Sequence, residues 1–119
     1  MQTVLDQVPV HDPLIIEGAG GVLVPLNEND LIVDMIKLLG AKPVVVASTQ
    51  LGTINHTCLT LEALRARGLE PLGVILSGHE NIENANAISY YGRTRILGRI
   101  PWCTGFSKAF FLETFNNFN

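Results

Sequence analysis

Residues 13–21 read P-L-I-I-E-G-A-G-G, an apolar run that stops at one carboxylate and four small residues. Leu14, Ile15 and Ile16 are aliphatic without a polar break, the pattern of a parallel strand covered on both faces. Parallel strands need crossover connections, so a chain built on such runs is drawn toward a layered α/β fold. Glu17 ends the run. Gly18, Ala19, Gly20 and Gly21 carry nothing larger than a methyl, so backbone N–H groups there can approach a phosphate or its metal closely. In open parallel sheets ligands bind beyond the carboxyl ends of the strands, and an acid at such an end is placed to hold a hard cation through oxygen. The spacing is not that of a dinucleotide fingerprint. Gly18 and Gly20 fit, but Leu23 stands where the third glycine belongs and Pro25 prevents an immediate helix. Taken alone, a Gly-rich turn after a strand is often only a turn.

The same grammar recurs along the chain. Val44 to Ala47 form a second apolar run, followed by a polar loop, Ser48 to Thr57, that enters a helix carrying Leu59, Leu61 and Leu64 and stopping at Gly68. Leu72 to Leu76 form a third, with Ser77, Gly78 and His79 at its end. Ile96 to Ile100 form a fourth, closed by Pro101 and Trp102. Between them the spacing predicts a helix over Leu31 to Leu39, capped by Asn29 or Asp30 and stopped by Gly40, and a polar helix within Glu80 to Tyr91. Phenylalanines at 106, 110, 111, 115 and 118 predict an aromatic helix against the sheet edge. The expected fold is α/β, a parallel sheet with flanking helices, whose functional residues gather just past the strand ends.

Each of these ends carries two readings. Gly52, Thr53 and Asn55 at a helix start present unpaired N–H groups to an anion such as a substrate carboxylate, while a plain N-cap by Thr53 or Asn55 is favoured by spacing alone. Trp102 either stacks on a nucleotide base or fills a gap beside Cys103. Asp30 and Asp34, four apart, either pair as ligands or are solvated acids in a first helical turn.

Length and charge remove other classes. At 119 residues the chain makes at most one domain. Its net charge of −3 includes no basic block, so nucleic-acid binding has no electrostatic footprint. No apolar run approaches the roughly 20 residues of a membrane span. Cys58 and Cys103 lack zinc spacing, and no signal-like leader opens the sequence, so a cytoplasmic location with reduced thiols is expected.

The segments I-I-E-G-A-G-G, V-V-V-A-S-T-Q-L-G-T-I-N-H-T-C-L-T, G-V-I-L-S-G and L-G-R-I-P-W, in this order and spacing, resemble the dethiobiotin synthetases of the P-loop superfamily. The resemblance runs from about Leu14 to Trp102 and is specific through L-G-x-I-N-H and I-P-W. It implies ATP- and Mg²⁺-dependent closure of a ureido ring in biotin biosynthesis. There a diaminopelargonate amine takes up CO₂ as a carbamate, ATP phosphorylates it, and the second amine displaces phosphate. It also implies a homodimer with substrate at the interface. By position, Glu17 resembles the Mg²⁺ ligand, and Gly18, Ala19 and Gly20 the backbone near the phosphates. Leu51, Gly52, Thr53, Ile54 and Asn55 resemble the segment that receives the substrate carboxylate. Ser77 and Gly78 stand where the family has an Asn reading the adenine, and Pro101, Trp102 and Cys103 match the base-lining loop.

The family's G-T-D-T-x-x-G-K-T loop has no counterpart among these residues, and neither has its carbamate-stabilising Lys; Lys42-Pro43-Val44 mimics the letters but precedes the wrong strand. Phosphoryl transfer depends on that loop, its Lys and the metal. The resemblance therefore implies a single partial domain over residues 1–119, the C-terminal half, with no catalytic residue of its own. It would act with a separate N-terminal half or as a homodimer. The alternative is a non-catalytic dimerisation or binding module that kept the surface and lost the chemistry. Without a neighbour, runs such as Val44 to Val46 are uncharged β-prone edges, and association or poor solubility of the isolated chain is expected.

Overall fold

The computed structural model describes residues 6–118, and the chain falls into two compact units, Met1–Ala41 and Lys42–Asn119. In the second unit three strands form a parallel sheet in the order β1 (Val45–Ser48), β2 (Val74–Ser77), β3 (Ile96–Ile100). They are joined by α2 (Thr53–Arg65) and α3 (Ile82–Tyr91), with α4 (Lys108–Phe115) following β3; α1 (Ile32–Leu38) belongs to the first unit. Val45 pairs with Val74 and Ser48 with Ser77, and after an irregularity at Val74/Ile75 Ser77 pairs with Ile100, so the three carboxyl ends finish level.

The alternation within these short strands decides where the core sits. Val45 and Ala47 are buried, and Val46 between them is 63% exposed. Leu61 and Leu64 of α2, Ile88 of α3, and Val74 and Leu76 of β2 complete the core. Full burial of each of these Val, Leu and Ile side chains contributes about 1.5–3 kcal/mol. On β3, a side chain at Gly98 would run into the ring of Phe118, 2.5 Å from its nearest carbon, so a glycine there is what lets the aromatic tail lie against the strand. Phe106, Phe110, Phe111, Phe115 and Phe118 form a chain of ring contacts around α4, as the sequence leads one to expect.

The C-terminus of α2 is tied to the α3–β3 turn by one side chain. Arg65 donates to the carbonyls of Gly92 (2.7 Å) and Arg93 (3.0 Å) and grips Glu70 with both Nε and Nη2. That hydrogen-bonded pairing holds the Glu70 carboxyl below its usual range and raises the Arg65 guanidinium. Arg93 sits at φ 46°, an uncommon left-handed conformation for a residue with a side chain.

The first unit departs from expectation. Leu14 to Ile16 are not a strand, and Ile15 is 90% exposed. A parallel strand exists only where a neighbour pairs with it, and among the described residues none bonds to this run. Val22 and Leu23 form a turn closed by the Val24 N–H on the Gly21 carbonyl (3.0 Å), and an isolated antiparallel bridge follows between Pro25 and Leu31. The N-cap of α1 is Leu31, not Asn29 or Asp30. Asn27 Oδ1 accepts from the N–H groups of Asn29 and Asp30, an Asx turn that takes those residues out of the helix. Asp34 Oδ2 accepts from the Leu31 N–H at 2.9 Å, and Asp30 Oδ2 from the Asn27 amide at 2.9 Å. The two acids thus serve the turn and the helix start, not a shared ligand.

Among the described residues no helix is long and apolar enough to cross a membrane.

Candidate functional site

Because the strands of the second unit end level, the loops leaving them converge. They enclose a cleft of about 370 Å³, lined by Ser48, Thr49 and Gln50 at the end of β1, Ser77, Gly78 and His79 at the end of β2, and residues 100–103 at the end of β3, together with Phe106. This is where open parallel sheets place their ligands.

Its floor is a tightly made turn. Gly78 adopts φ 131°, and a Cβ there would collide with the Thr49 hydroxyl, so only glycine lets the β1 and β2 loops close on each other. The Thr49 N–H donates to the Ser77 carbonyl (3.1 Å) and the Gly78 N–H to the Ile100 carbonyl (2.9 Å). Arg99 Nη1 donates to the Gly78 carbonyl at 3.1 Å, and its Nη2 lies 3.7 Å from Glu80. The Gly78 N–H is therefore committed within the protein, while its carbonyl keeps a second lone pair.

The wall is aromatic. Trp102 is 63% exposed, which decides between the two readings of its sequence position in favour of an available face. Its ring lies within 4° of parallel to that of His79, centroids 6.4 Å apart. A flat ring placed against either therefore lies parallel to both. Cys103 is half-buried beside them.

The start of α2 is the second feature. Its N-cap is Gly52 at φ 93°, and no side chain caps it. The expected cap by Thr53 or Asn55 is not formed: Thr53 is buried, its hydroxyl 3.5 Å from that of Thr57, and Asn55 is exposed three residues into the helix. Leu51 is fully exposed. A smaller hollow of about 190 Å³ runs between β1 and the Thr53, His56, Thr57 and Thr60 side of α2.

Of the residues singled out in the sequence, Ser77, Gly78, Pro101, Trp102 and Cys103 share the cleft. Leu51 to Asn55 follow directly on its Gln50 wall. Glu17 and the run Gly18 to Gly20 lie in the other unit; Glu17 is exposed, Gly20 sits at φ 81°, and a Cβ on Gly18 would press on Ile32 at 3.3 Å. Among the described residues no three His, Cys, Asp or Glu side chains cluster as a metal cage. Thr49, Gln50, His79 and Phe106 were not picked out as site residues, although the first three stand within three positions of a strand end, a signal the sequence already carries.

Comparison with known proteins adds the lineage. The model of a family described as AAA domain matches residues 2–109. The chain is similar to the ATP-dependent dethiobiotin synthetase BioD of Lawsonia intracellularis, 46% identical over 102 residues that make up 86% of this chain and 50% of that protein. It is 50% identical over 93 residues to BioD of Paramagnetospirillum magneticum, covering 77% of this chain and 45% of the relative. Against the biotin biosynthesis bifunctional protein BioCD of Bordetella avium it is 54% identical over 89 residues, 75% of this chain and 19% of that protein. The chain spans about half the length of the dethiobiotin synthetases it matches.

Proposed function

This chain belongs to the AAA domain family, and from that membership we propose that it supplies the base-binding and substrate-binding part of a dethiobiotin synthetase. The observation that supports the reading is the cleft at the level strand ends, where Pro101, Trp102 and Cys103 meet Ser77 and Gly78, which stand in place of the family's Asn. ATP places its adenine against Trp102 and Pro101, with the Ser77 hydroxyl and the free lone pair of the Gly78 carbonyl at the base edge. The α2 N-terminus, uncapped by any side chain, offers its N–H groups and positive dipole to the carboxylate of diaminopelargonate. Glu17 offers a single exposed carboxylate, which suits Mg²⁺, an ion held by one or two carboxylates together with phosphate and water. When bound, that ion neutralises charge on the phosphates.

No G-x-x-x-x-G-K-[ST] segment occurs among these 119 residues, so the phosphoryl group needs a second polypeptide segment to cradle it. Among the described residues β1 is an edge strand of its sheet, and the uncharged Val44 and Val46 are exposed there, which favours self-association of the isolated chain. Homodimerisation and a cytoplasmic location follow the same family reading.

The test is reconstitution. Co-expressed with the part of the Lawsonia protein that the match leaves uncovered, the chain forms dethiobiotin from diaminopelargonate, CO₂ and ATP, and Trp102→Ala raises the KM for ATP. A soluble, associated pair with no ATP-dependent ring closure contradicts the enzymatic reading and leaves a binding module.

A further inference from the structure

We propose that Arg99 is a positioning residue that sets base selectivity, by holding the Gly78 carbonyl as a hydrogen-bond acceptor for an exocyclic amino group; this rests on the cleft being the base site. Three observations carry it. Gly78 lines the cleft, and of its two backbone groups only the carbonyl retains capacity, since the N–H is bonded to the Ile100 carbonyl. The carbonyl is gripped from one side by Arg99 Nη1 at 3.1 Å, leaving one lone pair open. The turn is held from both sides, the Gly78 N–H on the Ile100 carbonyl and the Gly78 carbonyl on Arg99, and the Thr49 hydroxyl stands where a side chain on residue 78 would lie.

A carbonyl so held accepts but cannot donate. It therefore favours a 6-amino purine, and a 6-keto purine, which sets an oxygen against it, is disfavoured. Arg99 itself is anchored by Glu80, 3.7 Å from its other terminal nitrogen, and neither residue lines the cleft. The guanidinium also polarises the carbonyl through a charge-assisted bond. A neutral stem at this position leaves the peptide free to tilt, and the discrimination goes with it.

Trp102 is the only tryptophan of the chain, so its emission reports this cleft alone. The experiment titrates the chain with ATP and with ITP, which differ at the 6-position, and reads the ratio of the two dissociation constants. The wild type prefers ATP by about ten-fold, the size of one such hydrogen bond. In Arg99→Met the preference collapses to near unity through weaker ATP binding, with ITP binding unchanged. Arg99→Lys, which keeps a charged donor, retains part of the preference and serves as the test should the methionine variant not fold. Loosening of the fold alone weakens both nucleotides together and leaves the ratio alone. Equal wild-type affinities, or an unchanged ratio in either variant, overturn the role of Arg99 while the base site stands. A Trp102 emission that responds to neither nucleotide overturns the base-site reading, and this inference with it.

Discussion

Residues 6–41 and residues 42–118 contain the same sequence grammar and obey it differently. In the first, Leu14-Ile15-Ile16 runs into Glu17 and small residues ahead of α1; in the second, Val44-Val45-Val46-Ala47 runs into a Gly52 turn and α2. Only the second run is a strand. Both are aliphatic and uncharged, so intrinsic preference does not separate them. What separates them is a partner: β1 has β2 beside it in register over four residues, and Leu14 to Ile16 have no paired neighbour among the described residues. A buried parallel strand is a property of a sheet and not of a segment.

The sharpest way to break this comparison is to truncate one side chain in each region. Leu61→Ala, in the fully buried core, costs about 2–5 kcal/mol in denaturant unfolding of the chain. Ile15→Ala changes stability by less than about 0.5 kcal/mol, as an exposed position does. Comparable losses at the two sites would mean that Leu14 to Ile16 are packed in solution.

Glycine turns extend the contrast. Gly78→Ala forces a left-handed backbone and a collision with the Thr49 hydroxyl, and loses about 2–3 kcal/mol together with the nucleotide response of Trp102. Gly20→Ala takes a left-handed backbone at φ 81° and meets Val24 Cγ2 at 3.0 Å, a less severe approach than at Gly78, and loses about 1 kcal/mol. The reverse order in thermal melts would place the more constrained turn in the wrong region.

Smaller effects sharpen the picture of the second unit. Arg65→Ala removes the bonds to the Gly92 and Arg93 carbonyls and loses about 1–2 kcal/mol. Glu70→Gln lowers Tm slightly at neutral pH. Because Glu70 is held below its usual range by Arg65, its contribution is present above the unfolded-state pKa and is lost as pH falls through the folded one. The Tm difference between wild type and Glu70→Gln therefore shrinks to nothing in acid; a difference that persists there assigns the effect to packing.

Much of the fold and of the site was legible in advance, for a physical reason. Where strand, helix and turn signals agree, as from Val44 to Ile100, local chemistry and tertiary partners point the same way, and Ser77, Gly78, Pro101, Trp102 and Cys103 could be placed at one edge from topology alone. Long-range hydrogen bonds were not legible. The grip of Arg99 on Gly78 spans 21 residues, and that of Arg65 on Gly92 spans 27; neither has a signature in a local window. The missing side-chain cap on α2 was misjudged because Thr53 has the chemistry of a cap, yet its burial against Thr57 turns the hydroxyl elsewhere. His79 escaped notice as a ring partner of Trp102 because 23 residues and a whole crossover separate them.

The most direct test of the central claim, that the level strand ends of the second unit form the nucleotide site, is the map of backbone amide shifts on adding millimolar ATP to isotopically labelled chain. The account predicts shifts at Thr49, Gln50, Gly78, His79 and Trp102, with the Trp102 indole N–H among the largest, and none at Ile15 or Val46. Shifts confined to α4 or to residues 6–41, or no shifts at all, would contradict it.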